Sequence, residues 1–176
     1  MGFLFKNLLV FPQFSNPQIL KYSNPQLMLS TIQKLESLLT ATVHYLNATP
    51  AAELEHKPAP EKWSKKEILG HLIDSAINNL QRFTEIQFQP KPYNIRRYSQ
   101  DELVIANDYQ HADLQELIQC WLGLNRRILH LMRLQTPETL AFEILIGGDV
   151  IDLAFLMTDY VAHMEHHLKQ FGDLKI

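Results

Sequence analysis

An all-α fold, specifically a four-helix bundle, is what this sequence predicts, on three observations. Four segments of about 20 residues each repeat apolar side chains at intervals of three and four, the period of an α-helix. Helix-start signals precede these segments, and prolines or glycines separate them. No stretch shows convincing strand alternation. With 176 residues, 46% hydrophobic and 20% charged, the chain reads as one domain with enough apolar mass for a core. An up-down bundle is the simplest arrangement, and two lengthy connections also allow a crossover.

Residues 1–25 stand apart. "MGFLFKNLLVF" resembles a signal sequence only faintly, because Lys6 breaks the apolar run and Pro12 follows it. An approximate Ser-Asn-Pro-Gln repeat then reads as a linker. This segment is expected to be a poorly packed extension, translated from upstream of the natural start, with the bundle occupying residues 26–176.

The first helix is expected from Pro25 to Leu46, where Leu27, Ile32, Leu35, Leu38, Leu39 and Leu46 share one face and Asn24 supplies the cap. The second opens at "WSKKEI". There Ser64 can cap the amide of Glu67 while Glu67 reaches back, with Trp63 and Ile68 at staple positions. It is expected to reach Phe88, before Pro90 and Pro92. After a long connection, Asp113 and Glu116 start a third helix that runs to about Leu134. "TPETLAFEILIGG" reads as a loop with room for a short extended piece. The fourth helix is expected from Val150 to Phe171, capped by Asp149 and ended by Gly172.

Composition narrows the function. A formal charge of −3 without a Lys/Arg block disfavours nucleic-acid binding. No window approaches the ~18 apolar residues of a membrane span. A single cysteine, Cys120, rules out an internal disulfide and fits a reducing, cytoplasmic setting. Beside Trp121 in an apolar stretch, it is expected to be a small buried core residue.

"YVAHMEHHLKQF" carries three of the eight histidines. At about 100° per residue, His167 lies roughly 60° and His163 roughly 100° from the centre of the apolar stripe, on one side. His166 lies about 160° away, with Asp152, Asp159 and Glu165 on the polar side. His163 and His167 are therefore an i, i+4 pair at the rim of the buried face, a spacing that can chelate one metal ion. Two amphipathic residues at a packing boundary would look the same. On the second helix His71, Ser75, Asn78 and Arg82 share one side, free of Lys and Glu. That strip is either a pocket lining or a solvated face. His44, His56, His111 and His130 have no partner at ligand spacing.

These residues resemble the DinB-like, YfiT-type family of bacterial four-helix-bundle proteins over about Leu27 to Phe171. The second helix of that family reads approximately His-x-x-Asp-Ser-x-x-Asn-x-x-x-Arg-Phe after Trp-Ser/Thr. Here this is His71, Asp74, Ser75, Asn78, Arg82 and Phe83 after Trp63-Ser64. Its last helix carries His-x-x-His-His, here His163, His166 and His167, and "LGLNRR" at 122–127 is similar to the third helix. The chain departs at Ala162, where Trp is frequent, and at "EILIGG", where His-Pro is frequent.

The resemblance implies a divalent ion, Zn²⁺ or Ni²⁺, on His71, His163 and His167, the same choice as the helical rotation, and it implies a homodimer. Three neutral imidazoles leave open positions, as in catalytic zinc sites. The ion could generate hydroxide for hydrolysis, or bind a small thiol as thiolate. Some relatives join bacillithiol-like thiols to electrophiles. Thiol transfer is favoured, since the site lacks an obvious general base: Asp74 and Glu143 are the only nearby candidates, and the sequence places neither at the centre. Ser75, Asn78 and Arg82 would then bind the thiol or the electrophile. The alternatives are a metal-dependent hydrolase, a non-catalytic metal-binding stress-associated module, and a helical partner-binding domain without metal.

Overall fold

The computed structural model describes residues 25–172 and residue 174. The expected extension and the Asn24 cap lie outside the described residues. Eleven elements follow in order: α1 (Pro25–Ala48), α2 (Ala51–Glu55), α3 (Lys65–Glu85), β1 (Tyr93–Asn94), α4 (Gln100–Ala106), α5 (Leu114–Arg133), α6 (Pro137–Leu140), β2 (Glu143–Ile146), β3 (Asp149–Asp152), α7 (Leu153–Leu168) and a 3₁₀ turn (Lys169–Phe171). The four long helices α1, α3, α5 and α7 form the bundle.

Side-chain pairs give the direction of each helix. Lys65 at the start of α3 bonds Tyr45 near the end of α1 (2.6 Å), so α3 runs against α1. Gln115 meets Asn47 at one end of α1 and Arg133 meets Glu36 nearer the other, so α5 also runs against α1. Lys34 pairs with Glu165, and Tyr45 bonds the Phe171 carbonyl. Glu165 precedes Phe171 just as Lys34 precedes Tyr45, so α7 runs with α1. Helices α3 and α5 are therefore parallel, and the connection between them is the crossover that its length allows.

The capping box of α3 forms as its sequence dictates: Ser64 Oγ accepts from Glu67 N (3.1 Å), and Glu67 Oε2 accepts from Ser64 N (2.8 Å). Asp113 caps α5 through Glu116 N (2.9 Å). Residues of all four apolar stripes meet in one core, where Leu35, Leu69, Phe83, Trp121, Ile128, Met157 and Met164 are fully buried.

Four expectations change. The helical run of α3 ends at Glu85 rather than Phe88. A small sheet occupies the region read as loops, with β1 parallel to β2 and β2 antiparallel to β3. Its hairpin turns through Gly147 (φ 60°) and Gly148 (φ 102°), the positive φ pair that a two-residue turn between twisted strands requires. Because Asp149–Asp152 is strand, the cap of α7 is Asp152, whose Oδ1 accepts from Phe155 N (2.7 Å), and not Asp149. Cys120 is exposed rather than buried, since one step of about 100° from the buried Trp121 turns it outward.

Candidate metal centre

His71 sits in the second turn of α3 and is fully buried. Facing it, His163 and His167 lie one turn apart on α7, each half-buried. The ring centroids are 5.2 Å (His71–His163), 4.5 Å (His71–His167) and 4.6 Å (His163–His167) apart. One nitrogen from each ring lies within 4.8 Å of the other two. His71 Nε2 and His163 Nε2 approach to 3.3 Å, so at most one of them carries the shared proton. The Trp63 ring covers His71 at 5.0 Å and His167 at 6.3 Å, which keeps water from one side.

Burial makes the cluster neutral. Desolvation, reinforced by His163, pushes His71 down to about 3. Desolvation with His166 takes His163 to about 4, and desolvation with the three neighbouring histidines takes His167 to about 2. Neutral imidazoles present lone pairs, the form that ligates metal. The donor set therefore fits a divalent ion of the Zn²⁺ or Ni²⁺ kind. The outer nitrogens of two of the rings differ. His167 Nδ1 lies 3.2 Å from the Gln170 side-chain amide, while His71 Nδ1 is buried with no partner. His166 is exposed, as the helical rotation requires, and so are His44, His56, His111 and His130.

Beyond His71 the polar strip of α3 is buried rather than solvated. Ser75 is 2% and Arg82 8% exposed. Of the two adjacent asparagines, Asn79 is the inner one, bonding the Ser75 carbonyl (2.9 Å) and receiving Arg82 Nη1 (3.4 Å). Asn78 is half-buried and turns back to the Asp74 carbonyl (2.8 Å). Tyr98, from the connection after β1, adds a hydrogen bond to Ser75 and a ring 5.5 Å from the Arg82 guanidinium. Arg82 also donates to the Arg96 carbonyl (2.8 Å), and among the described residues no carboxylate neutralises it. Burial consequently lowers its pKa, opposed by Tyr98 and Tyr93. Asn79 and Tyr98 escape sequence reasoning; the spacing of Asn79, four residues after Ser75 and three before Arg82, is a signal that Asn78 shares in reverse order.

Three carboxylates need placing. Asp74 Oδ1 accepts from Tyr109 Oη (2.7 Å) and Asn107 Nδ2 (3.0 Å), while burial raises its pKa. Glu143 is exposed at the start of β2. Asp159, one turn before His163, is half-buried rather than fully on the solvated side, and burial raises its pKa.

No curated protein matches the sequence. Among solved structures, YfiT from Bacillus subtilis, described as a probable metal-dependent hydrolase with an unusual four-helix bundle topology, is similar at 22% identity, with a TM-score of 0.77 over 86% of this chain and 87% of that one. A DinB-like protein from Bacillus cereus is similar at 15% identity, with a TM-score of 0.58 over 87% and 91%. These likenesses are of fold. A family model described as the DinB superfamily matches residues 34–171, which span the four bundle helices from within α1 to the 3₁₀ turn after α7. The chain is a member of the DinB superfamily.

Proposed function

We propose that this protein is a divalent-metal-dependent enzyme that transfers a small thiol of the bacillithiol kind to an electrophilic substrate. The observation that carries the proposal is the convergence of three neutral imidazoles from two helices, with no carboxylate among them. A divalent ion held by His71, His163 and His167 would supply a Lewis acid that favours the thiolate, the nucleophilic form of a thiol.

The chain's own residues do the rest. His71 and the two histidines of α7 fix the reacting point between the start of α3 and the last turns of α7. Trp63 shields one side from water. Arg82, roughly 16 Å further along α3 by helical rise, offers an uncompensated positive charge to an anionic part of the thiol or electrophile, with Ser75 and Asn79 in supporting positions. Thiol transfer needs no protein base when the ion itself favours the thiolate. That suits a centre where Tyr109 and Asn107 already hold Asp74 and Glu143 is exposed.

Hydrolysis is the second reading, favoured by Asp159, which is half-buried one turn from His163 and could accept a proton from water. The likeness to YfiT supports the same reading. The two separate in one experiment. Metal-loaded protein is given a panel of low-molecular-weight thiols with 1-chloro-2,4-dinitrobenzene, and in parallel a panel of ester and amide substrates. Thiol-dependent release of chloride, abolished in His71→Ala, supports transfer. Turnover of esters or amides without thiol supports hydrolysis. A His71→Ala variant that loses much of its melting temperature, from a parent without turnover, supports a metal-stabilised module.

A further inference from the structure

We propose that Asp74 is the carboxylate that orients His71, its free Oδ2 turning to take the proton on Nδ1 of that ring. The inference deepens the metal-centre reading and rests on it for its consequence. Four buried side-chain polar atoms lack a partner among the described residues, and none of the four bonds another: Thr42 Oγ1, His71 Nδ1, Asp74 Oδ2 and Trp121 Nε1. Two of the four belong to residues three apart on α3, both almost completely buried. Residues at that spacing are neighbours on a helix surface. They are also chemically complementary. An imidazole that turns Nε2 toward the centre carries its proton on Nδ1 and must donate it, and a carboxylate oxygen can only accept. The 3.3 Å approach of His163 Nε2 to His71 Nε2 agrees with that tautomer, with His163 as donor.

The rest of the surroundings hold Asp74 for this role. Its other oxygen is pinned by two donors, Tyr109 Oη and Asn107 Nδ2. Tyr109 reaches it only because Gly70 has no side chain: a Cβ there would lie 2.1 Å from Tyr109 Cγ. Tyr109 and Asn107 therefore define which oxygen is spoken for, and Oδ2 is left for the imidazole. A carboxylate behind a ligating histidine fixes the ring and raises its basicity, and losing it typically costs about 10–100-fold in metal affinity. Asp74 is thus a positioning residue rather than a catalytic one.

Two measurements on the full chain test this. Long-range ¹H–¹⁵N spectra of the metal-free protein report the tautomer of His71, expected to be Nδ1–H; an Nε2–H tautomer would overturn the proposal whether or not any variant folds. Zn²⁺ affinity by competition with a chromophoric chelator is then compared for the parent, Asp74→Asn, Asp74→Glu and His71→Ala. In Asp74→Asn the two donors keep the amide oxygen and turn the NH₂ toward His71, so affinity should fall about 10–100-fold, with metal-free melting little changed and partial recovery in Asp74→Glu. Parent-like affinity in Asp74→Asn beside loss in His71→Ala removes the role of Asp74 and leaves the centre standing. Parent-like affinity in His71→Ala removes the centre itself.

Discussion

Substituting Gly70 by alanine adds one methyl group at the tightest packed point behind the centre. The new Cβ would lie 2.1, 2.2 and 2.7 Å from Tyr109 Cγ, Cδ2 and Cβ, so the conflict is with the root of the ring and not with its mobile tip. Tyr109 is itself buried and bonds Asp74 at 2.7 Å, so moving it breaks that bond. Overpacking costs about 1–3 kcal/mol, and losing the buried Tyr109 bond to a carboxylate oxygen that Asn107 still holds adds about 1–3 kcal/mol. Alanine regains roughly 1 kcal/mol through its higher helix propensity. The balance is a loss of about 1–5 kcal/mol, or several degrees to more than about 10 °C of melting temperature for a chain of this size. Gly123 is the control, also within a helix but with nothing within 4 Å of the position a Cβ would take, so Gly123→Ala should gain roughly 0.5–1 kcal/mol. Urea unfolding of metal-free protein measures both. Equal stabilisation by the two substitutions would refute the packing argument.

Other outcomes are expected. Arg82→Gln should raise KM for an anionic electrophile about tenfold or more, the loss of roughly one charge-assisted hydrogen bond, while metal content stays unchanged; an equal effect on a neutral electrophile would count against an anion seat. The three site histidines, depressed to about 3, 4 and 2, stay neutral in the folded chain while the unfolded chain takes up protons below about pH 6.5. Metal-free stability should therefore lose their contribution progressively as pH falls from about 6.5 toward 4, and not change through them between about pH 7 and 9. Asp74 and Asp159, raised by burial, act in the opposite sense, so the histidine part is read as a shallower acid slope in His163→Gln. Cys120 should react stoichiometrically with a chromogenic disulfide reagent in the native state; protection until unfolding would contradict its exposure. Light scattering should give a homodimer of twice 20.5 kDa, with the exposed Ile77 and Phe88 beside Leu124 as its apolar face; a monomer at all concentrations would remove that expectation.

The helices and the histidine trio are legible in the sequence because each depends on local rules. Ser64 and Glu67 close their capping box within one turn, and the rotation of one helix is enough to separate His166 from His163 and His167. His71 is legible only as part of a polar strip whose direction depends on burial, and burial is a tertiary property. The strands are too short for alternation to show: β1 has two residues and β2 and β3 four each. Gly147-Gly148 is nonetheless a hairpin signal, and once it is admitted the cap of α7 moves from Asp149 to Asp152. Asn78 and Asn79 differ by one helical step, and both spacings, three and four from Ser75, lie on one face, so packing alone chooses between them. Tyr98 and Tyr109 reach α3 from the crossover connection, and no local pattern announces them. Cys120 shows the same limit: apolar neighbours suggest burial, but rotation decides it.

The most direct test is metal stoichiometry by equilibrium dialysis against Zn²⁺ and Ni²⁺, followed by elemental analysis, for the parent chain and four single alanine variants at His71, His163, His166 and His167. One divalent ion per chain is expected in the parent and in His166→Ala, with little or none in the other three. A parent that retains no ion, or a His166→Ala variant that loses its ion while His163→Ala keeps one, would contradict the three-histidine centre.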